Sequence, residues 1–517
     1  MVFLQYVFSI LTVKSVIVGL MALFIATWFY RRSRNLPPGP TGWPLLGYLP
    51  NLILAGHEYK SLSRLAKIYG PVFSMNLGGT LVVVVNSFAS IKEALNHPNT
   101  AARPPTSFYR KITRDPDALG VVSASSDSWS QQKKFSLTVL RGFGVGKSSF
   151  ELTIATEAGC LIEAIKEHGD NPFNPTHLIS NAVSNVICSV TLGKRFDYSD
   201  PKFQKLLKLL NRNFELSSGG GAYSYLPIMD NLSFTSKFKE VQTNVRQIIE
   251  FLQECIDEHR RVLDADNPKD FIDVFLTDIY ENETKNVQSH ITADNMLLTT
   301  FELFAAGTET SASTLRWALL YMIAYPEVQA RVQRELDDAV GRDRLPNMAD
   351  KPQLPYTEAT ILEVQRLASI ASLAITHMFS KDTRLLGYDI PRGTLLIANL
   401  WAVSRDPSIW SDPEKFNPER FLDEAGSLKP REEHLPFSTG KKKQHTSGPK
   451  IKLSSYQRRY NSFSTSLFSC QVAVCVWESD LPRWSCSSSS HISYISSPSR
   501  DLKMLNSCRS RLTTVLH

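Results

Sequence analysis

The strongest hydrophobic run lies near the start of the chain. Ser15 to Tyr30, SVIVGLMALFIATWFY, is uncharged and mostly apolar. As a helix it spans roughly 24 Å, short of a ~30 Å hydrocarbon core. Extension past Lys14 toward Phe3 makes up the length, with Lys14 snorkelling to the interface. Arg31, Arg32 and Arg34 follow directly, so residues 1–30 are expected to anchor the chain with this basic end cytoplasmic. A cleaved signal peptide fits less well, because the charge follows the apolar run and no small-residue cleavage site is evident. In NLPPGPTGWPLLG, prolines 37, 38, 40 and 44 stop any helix and favour a stiff extended hinge over residues 31–50.

Beyond the hinge the periodicity changes. VFSMNLGGTLVVVVN, from Val72, reads as two short strands around Gly78 and Gly79. From about Asp127 to Pro326 the pattern is mostly helical. One long helix is predicted from the capping run at Thr292 to Tyr325, just before Pro326. It is about 50 Å long, enough to cross a domain. PEVQARVQREL restarts a helix with proline in first position. GYDIPRGTLLIANL, from Gly387, reads as two more strands. The fold class is therefore mainly α with a smaller β part, its body covering residues 51–440. From Lys441 onward about a quarter of the residues are serine, acids nearly vanish, and four of the seven cysteines crowd in. This aberrant tail, 441–517, does not read as packed core.

Composition adds little. The chain is 43% hydrophobic and 21% charged, as a large-cored protein should be. The net charge of +7 is mild and spread out. No nucleic-acid partner is expected; an acidic partner or membrane surface is. Only Cys160, Cys188 and Cys255 precede the tail, and no C-x-x-C occurs, which suits a reducing compartment.

Three constellations carry candidate chemistry. In AAGTETS, Ala306 and Gly307 are small enough for a flat ligand to approach the backbone. Thr310 can bond back to the carbonyl of Ala306 and loosen a turn beside the acid Glu309. Taken alone, the simpler reading is a small-residue helix crossing. Glu363 and Arg366 sit at i and i+3, ordinarily a weak surface pair, with Arg420 in FNPERF downstream. Trp129 and Lys133 place an indole and a cation one turn apart, as core and rim or as donors to an anionic group.

Together and in this order the motifs resemble the cytochrome P450 family of haem-thiolate monooxygenases. The matching elements are the proline-rich hinge, W-x-x-x-R/K, A/G-G-x-D/E-T-T/S, E-x-x-R and P-E-R-F. LRWALLY, GYDIPRGT and NLWAVSRDP are similar to the microsomal animal branch acting on drugs, steroids and fatty acids. The resemblance covers roughly residues 31–440. It implies a P450 fold, bound haem, and insertion of one oxygen atom of O2 into a small apolar substrate. NADPH–cytochrome P450 reductase would supply electrons at the endoplasmic reticulum membrane. It implies that Glu363, Arg366 and Arg420 form a buried triad. Ala306, Gly307, Glu309 and Thr310 would line the oxygen site, with Glu309 and Thr310 delivering protons. Trp129, Lys133 and His377 would hold the haem propionates. Lys133 stands where many members carry arginine and so lacks the bidentate fork. Substrate contacts would come from about 101–125, 205–230, 301–310 and 370–377.

The family's ligand pattern, F-x-x-G-x-R-x-C-x-G, then breaks. Phe437 and Gly440 match it. Lys442 stands for the arginine, Gln444 for the cysteine and Thr446 for the second glycine. A glutamine amide cannot replace a thiolate, whose electron density favours O–O cleavage. No metal ligand is therefore expected in its usual place, and the chain as written is expected to lack monooxygenase activity. A catalytically dead, membrane-anchored binding protein and a non-functional mis-spliced fragment are the alternatives.

The tail offers an explanation. In AVCVWES, from Ala473 to Ser479, consider the frame that takes the last base of each codon with the first two of the next. The triplet across Trp477 and Glu478 must then encode glycine. Those upstream permit cysteine across Cys475 and Val476, and arginine across Ala473 and Val474. The shifted frame thus permits R-x-C-x-G, continued by glutamate. On this reading about 441–470 is retained intron or mis-spliced sequence, and the true C-terminus follows out of frame.

Overall fold

The computed structural model describes residues 35–104, 120–144, 148–169, 171–217, 236–429 and 431–439, with isolated helical positions at Ser15, Val18, Gly19, Met21 and Ala22. Most of the expected anchor lies outside these residues, as do Gly440, Gln444 and the tail. Among the described residues, no helix is long and apolar enough to cross a membrane.

The chain enters through α1 (Leu49–Ala55), α2 (Glu58–Tyr69), the hairpin β1 (Val72–Leu77) and β2 (Thr80–Val85), and α3 (Phe88–Asn96). Its helical half comprises α4 (Ser126–Gly142), α5 (Ser148–Lys166), α6 (Thr176–Thr191), α7 (Pro201–Ser217), α8 (Ser236–Val262) and α9 (Phe271–Thr284). It continues through α10 (Ala293–Ala324), α11 (Pro326–Ala339) and α12 (Pro355–Ala368). Short elements follow: β3 (His377–Met378), β4 (Thr383–Leu385), β5 (Tyr388–Ile390), β6 (Leu395–Ala398) and α13 (Leu400–Ser404).

The expected hairpin forms, pairing Val72 with Val85 through Leu77 with Thr80. GYDIPRGTLLIANL yields two strands that part company. β5 pairs with β4, while β6 runs parallel to β2 and antiparallel to β3. The main sheet is thus ordered β1-β2-β6-β3. The run Val82 to Val85 is apolar throughout because both sheet faces are covered. Val82 and Val84 meet the α1–α2 side; Val83 and Val85 meet α3 and α13.

α10 organises the helical half. Thr292 caps it, its side chain accepting from the Asn295 amide, and Tyr325 closes it before Pro326. It packs along α6 and lies between two cores. One is built with α7, α8 and α9, the other with α11 and α12.

The proline segment is no free linker in its described part. Pro37 and Pro38 carbonyls accept from the Ser74 hydroxyl (2.7 Å) and amide (2.8 Å). The Asn35 carbonyl accepts from the Asp389 amide. A chain with two prolines can still supply carbonyls to a sheet edge, which is how it becomes part of the body.

Candidate functional site

The charged triad is the most completely determined part of the site. α12 presents Glu363 and Arg366 inward, and the 3-10 turn Pro418–Phe421 brings Arg420 to the same point. Arg366 Nε and Nη2 grip the Glu363 carboxylate at 2.7 and 2.8 Å, a bidentate pair. Arg420 Nε adds a bond of 3.0 Å and the Asn417 amide one of 2.9 Å. All three side chains are buried. Their remaining donors collect backbone carbonyls: Arg366 those of Ser404 and Pro413, Arg420 those of Ser411 and Lys415. One carboxylate and two guanidiniums thus fold the irregular segment 404–420 onto α12. Desolvation lowers the pKa of Arg420, Glu363 opposing it.

The centre of α10 exposes one face. Ala306 is exposed and Thr310 partly so, amid a helix otherwise largely buried. Thr310 Oγ1 donates to the Ala306 carbonyl at 2.7 Å, the expected back-bond. Gly307 sits differently. A Cβ there would stand 2.7 Å from Ile187 Cδ1, so its smallness serves the crossing with α6. Ser184 and Thr308 hydroxyls bond at 3.2 Å in the same buried seam. Glu309 turns along its own helix. Its Oε1 accepts from Ser313 (2.8 Å) and Arg316 (2.5 Å), leaving Oε2 buried with no partner among the described residues.

Trp129 and Lys133 share one face of α4, with Lys133 Nζ 4.4 Å from the indole centroid. His377, on β3, engages the Thr100 carbonyl through Nδ1 at 2.8 Å. Burial, aided by the nearby positive charge of Arg103, pushes this imidazole down to about 4. Phe437 lies just before the end of the described residues. Between it and the triad, His434 Nε2 donates to the Leu362 carbonyl at 3.1 Å and its ring meets Phe421 edge-on.

The model of the cytochrome P450 family matches residues 37–443 of this chain. The chain belongs to the cytochrome P450 family. It is 41% identical to cytochrome P450 2U1 of Homo sapiens over 452 residues, covering 82% of each chain. It is 41% identical to human cytochrome P450 2J2, covering 83% of this chain and 85% of the relative. To human cytochrome P450 2C8 it is 37% identical, covering 80% and 84%. P450 enzymes are monooxygenases that use haem iron.

The wall residues suit such a group. Ala306 is exposed and Thr310 partly so, which leaves the α10 backbone accessible to a flat group there, whereas Gly307 is closed off by Ile187; Lys133 and Arg103 are the cations on α4 and beside β3. The cysteines among the described residues are Cys160, Cys188 and Cys255. Cys188 and Cys255 lie in the helical core, their thiols pushed up by burial, Cys255 to about 11. A buried protonated thiol is a poor iron ligand.

Sequence reasoning missed three residues. Arg103 donates to the Ile375 and Thr376 carbonyls beside His377. Glu302 accepts from the Val121 and Val122 amides at 2.6 and 2.9 Å, tying the described end of the 101–125 segment to α10. These two contacts join residues 272 and 181 positions apart and leave no local signal. Arg316 was legible: Glu309, Ser313 and Arg316 recur at i, i+4 and i+7 on one helix face.

Proposed function

We propose that the chain is the body of a membrane-anchored P450 monooxygenase that has lost its iron ligand and is inactive as written. One observation carries this. Gln444 occupies the cysteine position, and the family match stops at 443, immediately before it. The anchor over 1–30, the endoplasmic reticulum membrane, NADPH–cytochrome P450 reductase and a small apolar substrate belong to the same reading. They are supported by the apolar run, the arginines after it and the likeness to animal P450 enzymes.

Haem, when bound, supplies oxygen activation at iron. The chain's own residues hold and shape its surroundings. Lys133 and Arg103 would balance its carboxylates and the Trp129 indole N–H would donate to them, whereas His377, neutral and with Nδ1 on the Thr100 carbonyl, would join them only once protonated. Ala306 leaves room at the backbone, and the Thr310 hydroxyl remains a proton donor–acceptor on the open face. Phe437 and Gly440 frame the loop from which a thiolate would come. Glu309 serves proton delivery only after release from Arg316.

The mis-spliced reading is favoured by the forced glycine at Trp477–Glu478. Sequencing transcripts across the codons for Gly440 to Trp477 tests it. Messages that join Gly440 to R-x-C-x-G support a shifted frame; messages that all encode KKKQHTSG as written contradict it. For the chain itself, full-length protein supplied with haem, reductase and NADPH should form no oxygenated product. Turnover of any apolar substrate would overturn the reading.

A further inference from the structure

Among the described residues, three side chains able to ligate a metal converge at one place, and none of them belongs to the triad or to the open face of α10. They are His259 in the last turn of α8, Asp270 at the cap of α9 and Asp273 in its first turn. One ligand atom from each lies within 4.8 Å of the other two. Both aspartates are buried, while the His259 side chain keeps 13% of its surface open. Asp270 Oδ1 accepts from the Asp273 amide at 3.0 Å, and Asp273 Oδ2 accepts from the Lys269 amide at 2.9 Å. Each carboxylate thus spends one oxygen on the backbone and keeps the other for a second partner. Gly193, just after α6, makes the room: a Cβ there would collide with Asp270 Oδ2.

The histidine decides what can sit there. Its Nδ1 stands 2.7 Å from the Cys255 carbonyl, which only accepts, so Nδ1 carries a proton. Its Nε2 stands 2.7 Å from Asp270 Oδ2, an acceptor as well. In the neutral ring this tautomer turns a lone pair on a carboxylate oxygen, a repulsive contact unless a cation fills it. A proton on Nε2 satisfies Asp270 alone and leaves the cluster with a net negative charge. A divalent ion balances both carboxylates and uses all three ligand atoms. A ring whose other nitrogen donates to a backbone carbonyl is oriented as metal-binding histidines are. Imidazole and carboxylate ligands suit zinc, whose bonds of about 2.0–2.2 Å hold ligand atoms about 3.3 Å apart in a tetrahedron. That spacing falls between the 2.7 Å and 4.8 Å found here. The open edge of the ring gives an entry path and a place for water as fourth ligand.

We propose that His259, Asp270 and Asp273 form a site for a zinc-class divalent cation that staples the end of α8 to the start of α9. The site is independent of haem. An ion held by the folded chain alone raises its stability. The test uses the full-length chain, stripped with chelator and titrated with Zn2+, with bound zinc counted and melting temperature followed. His259→Asn removes Nε2 while its amide keeps a donor for the Cys255 carbonyl. Asp273→Asn keeps an acceptor for the Lys269 amide. Zinc held by cysteines elsewhere is common to all three proteins, so the differences read this site. The parent should hold one more Zn2+ per chain than either variant at a free concentration that just saturates it. Its melting temperature should rise with zinc. Each variant should lose that rise and bind at this site more than about tenfold more weakly, the scale on which even groups that orient a ligand act. If His259→Asn melts below the zinc-free parent, Asp273→Asn decides alone. Equal zinc counts in parent and variants, or a parent melting temperature that zinc leaves unmoved, overturn the proposal and leave a proton between Nε2 and Asp270.

Discussion

Glu363 holds two guanidiniums and one backbone amide with four oxygen lone-pair sites, away from water. Removing its charge strands both cations. Glu363→Gln should cost about 3–5 kcal/mol, the usual penalty for breaking a buried ion cluster. Chemical unfolding followed by tryptophan fluorescence checks this, and a loss under about 1 kcal/mol would show the cluster to be dispensable. Histidine protonation acts at the same scale. His434, like His377, drops from 6.5 to about 4, for His434 by burial first, with the Leu362 carbonyl opposing and the charge of Arg366 adding. Both rings are neutral in folded and unfolded chains above 6.5. Below it the unfolded chain binds protons that the folded one refuses, so stability falls as pH drops from about 6.5 to 4. His259 works oppositely: its bond to Asp270 raises it despite burial, stabilising at low pH and fading as pH rises through the raised value. Melting temperatures across this window should decline toward acid. His434→Gln, which keeps a donor for Leu362, should flatten the decline.

Elements explain which features could be read in advance. α10 was legible to its ends, because Thr292 supplies a cap and Pro326 a stop. The β1–β2 hairpin was legible from Gly78 and Gly79 between two short strand-forming runs. The partition of β5 and β6 between two sheets was not, since each partner, β4 and β2, is chosen by tertiary packing. The triad's residues were visible through the family motifs, but not the carbonyls that complete it. Gly307 shows how two readings can share one residue. Small size suits both a ligand and a crossing, and only the approach of Ile187 shows what stands against it. Gly307→Val should overpack the α6–α10 seam and cost about 1–3 kcal/mol. Adding Ile187→Ala should recover part of that loss, whereas strictly additive losses would contradict a shared contact.

At the scale of the molecule, the family match runs over residues 37–443 and takes in nearly all of the described body. The Phe437 loop is brought to the site by His434 and by Leu435 in the α3–α13 core, so its approach is built even though Gln444 follows. The proposed loss of the iron ligand, with Gln444 at the cysteine position of a P450 body, is the central point. It is tested most directly by iron K-edge absorption on full-length protein expressed with ample haem. The account predicts either no retained iron or iron without a sulfur neighbour. An iron–sulfur shell at full haem occupancy would contradict it, because some cysteine of this chain would then be doing what Gln444 cannot.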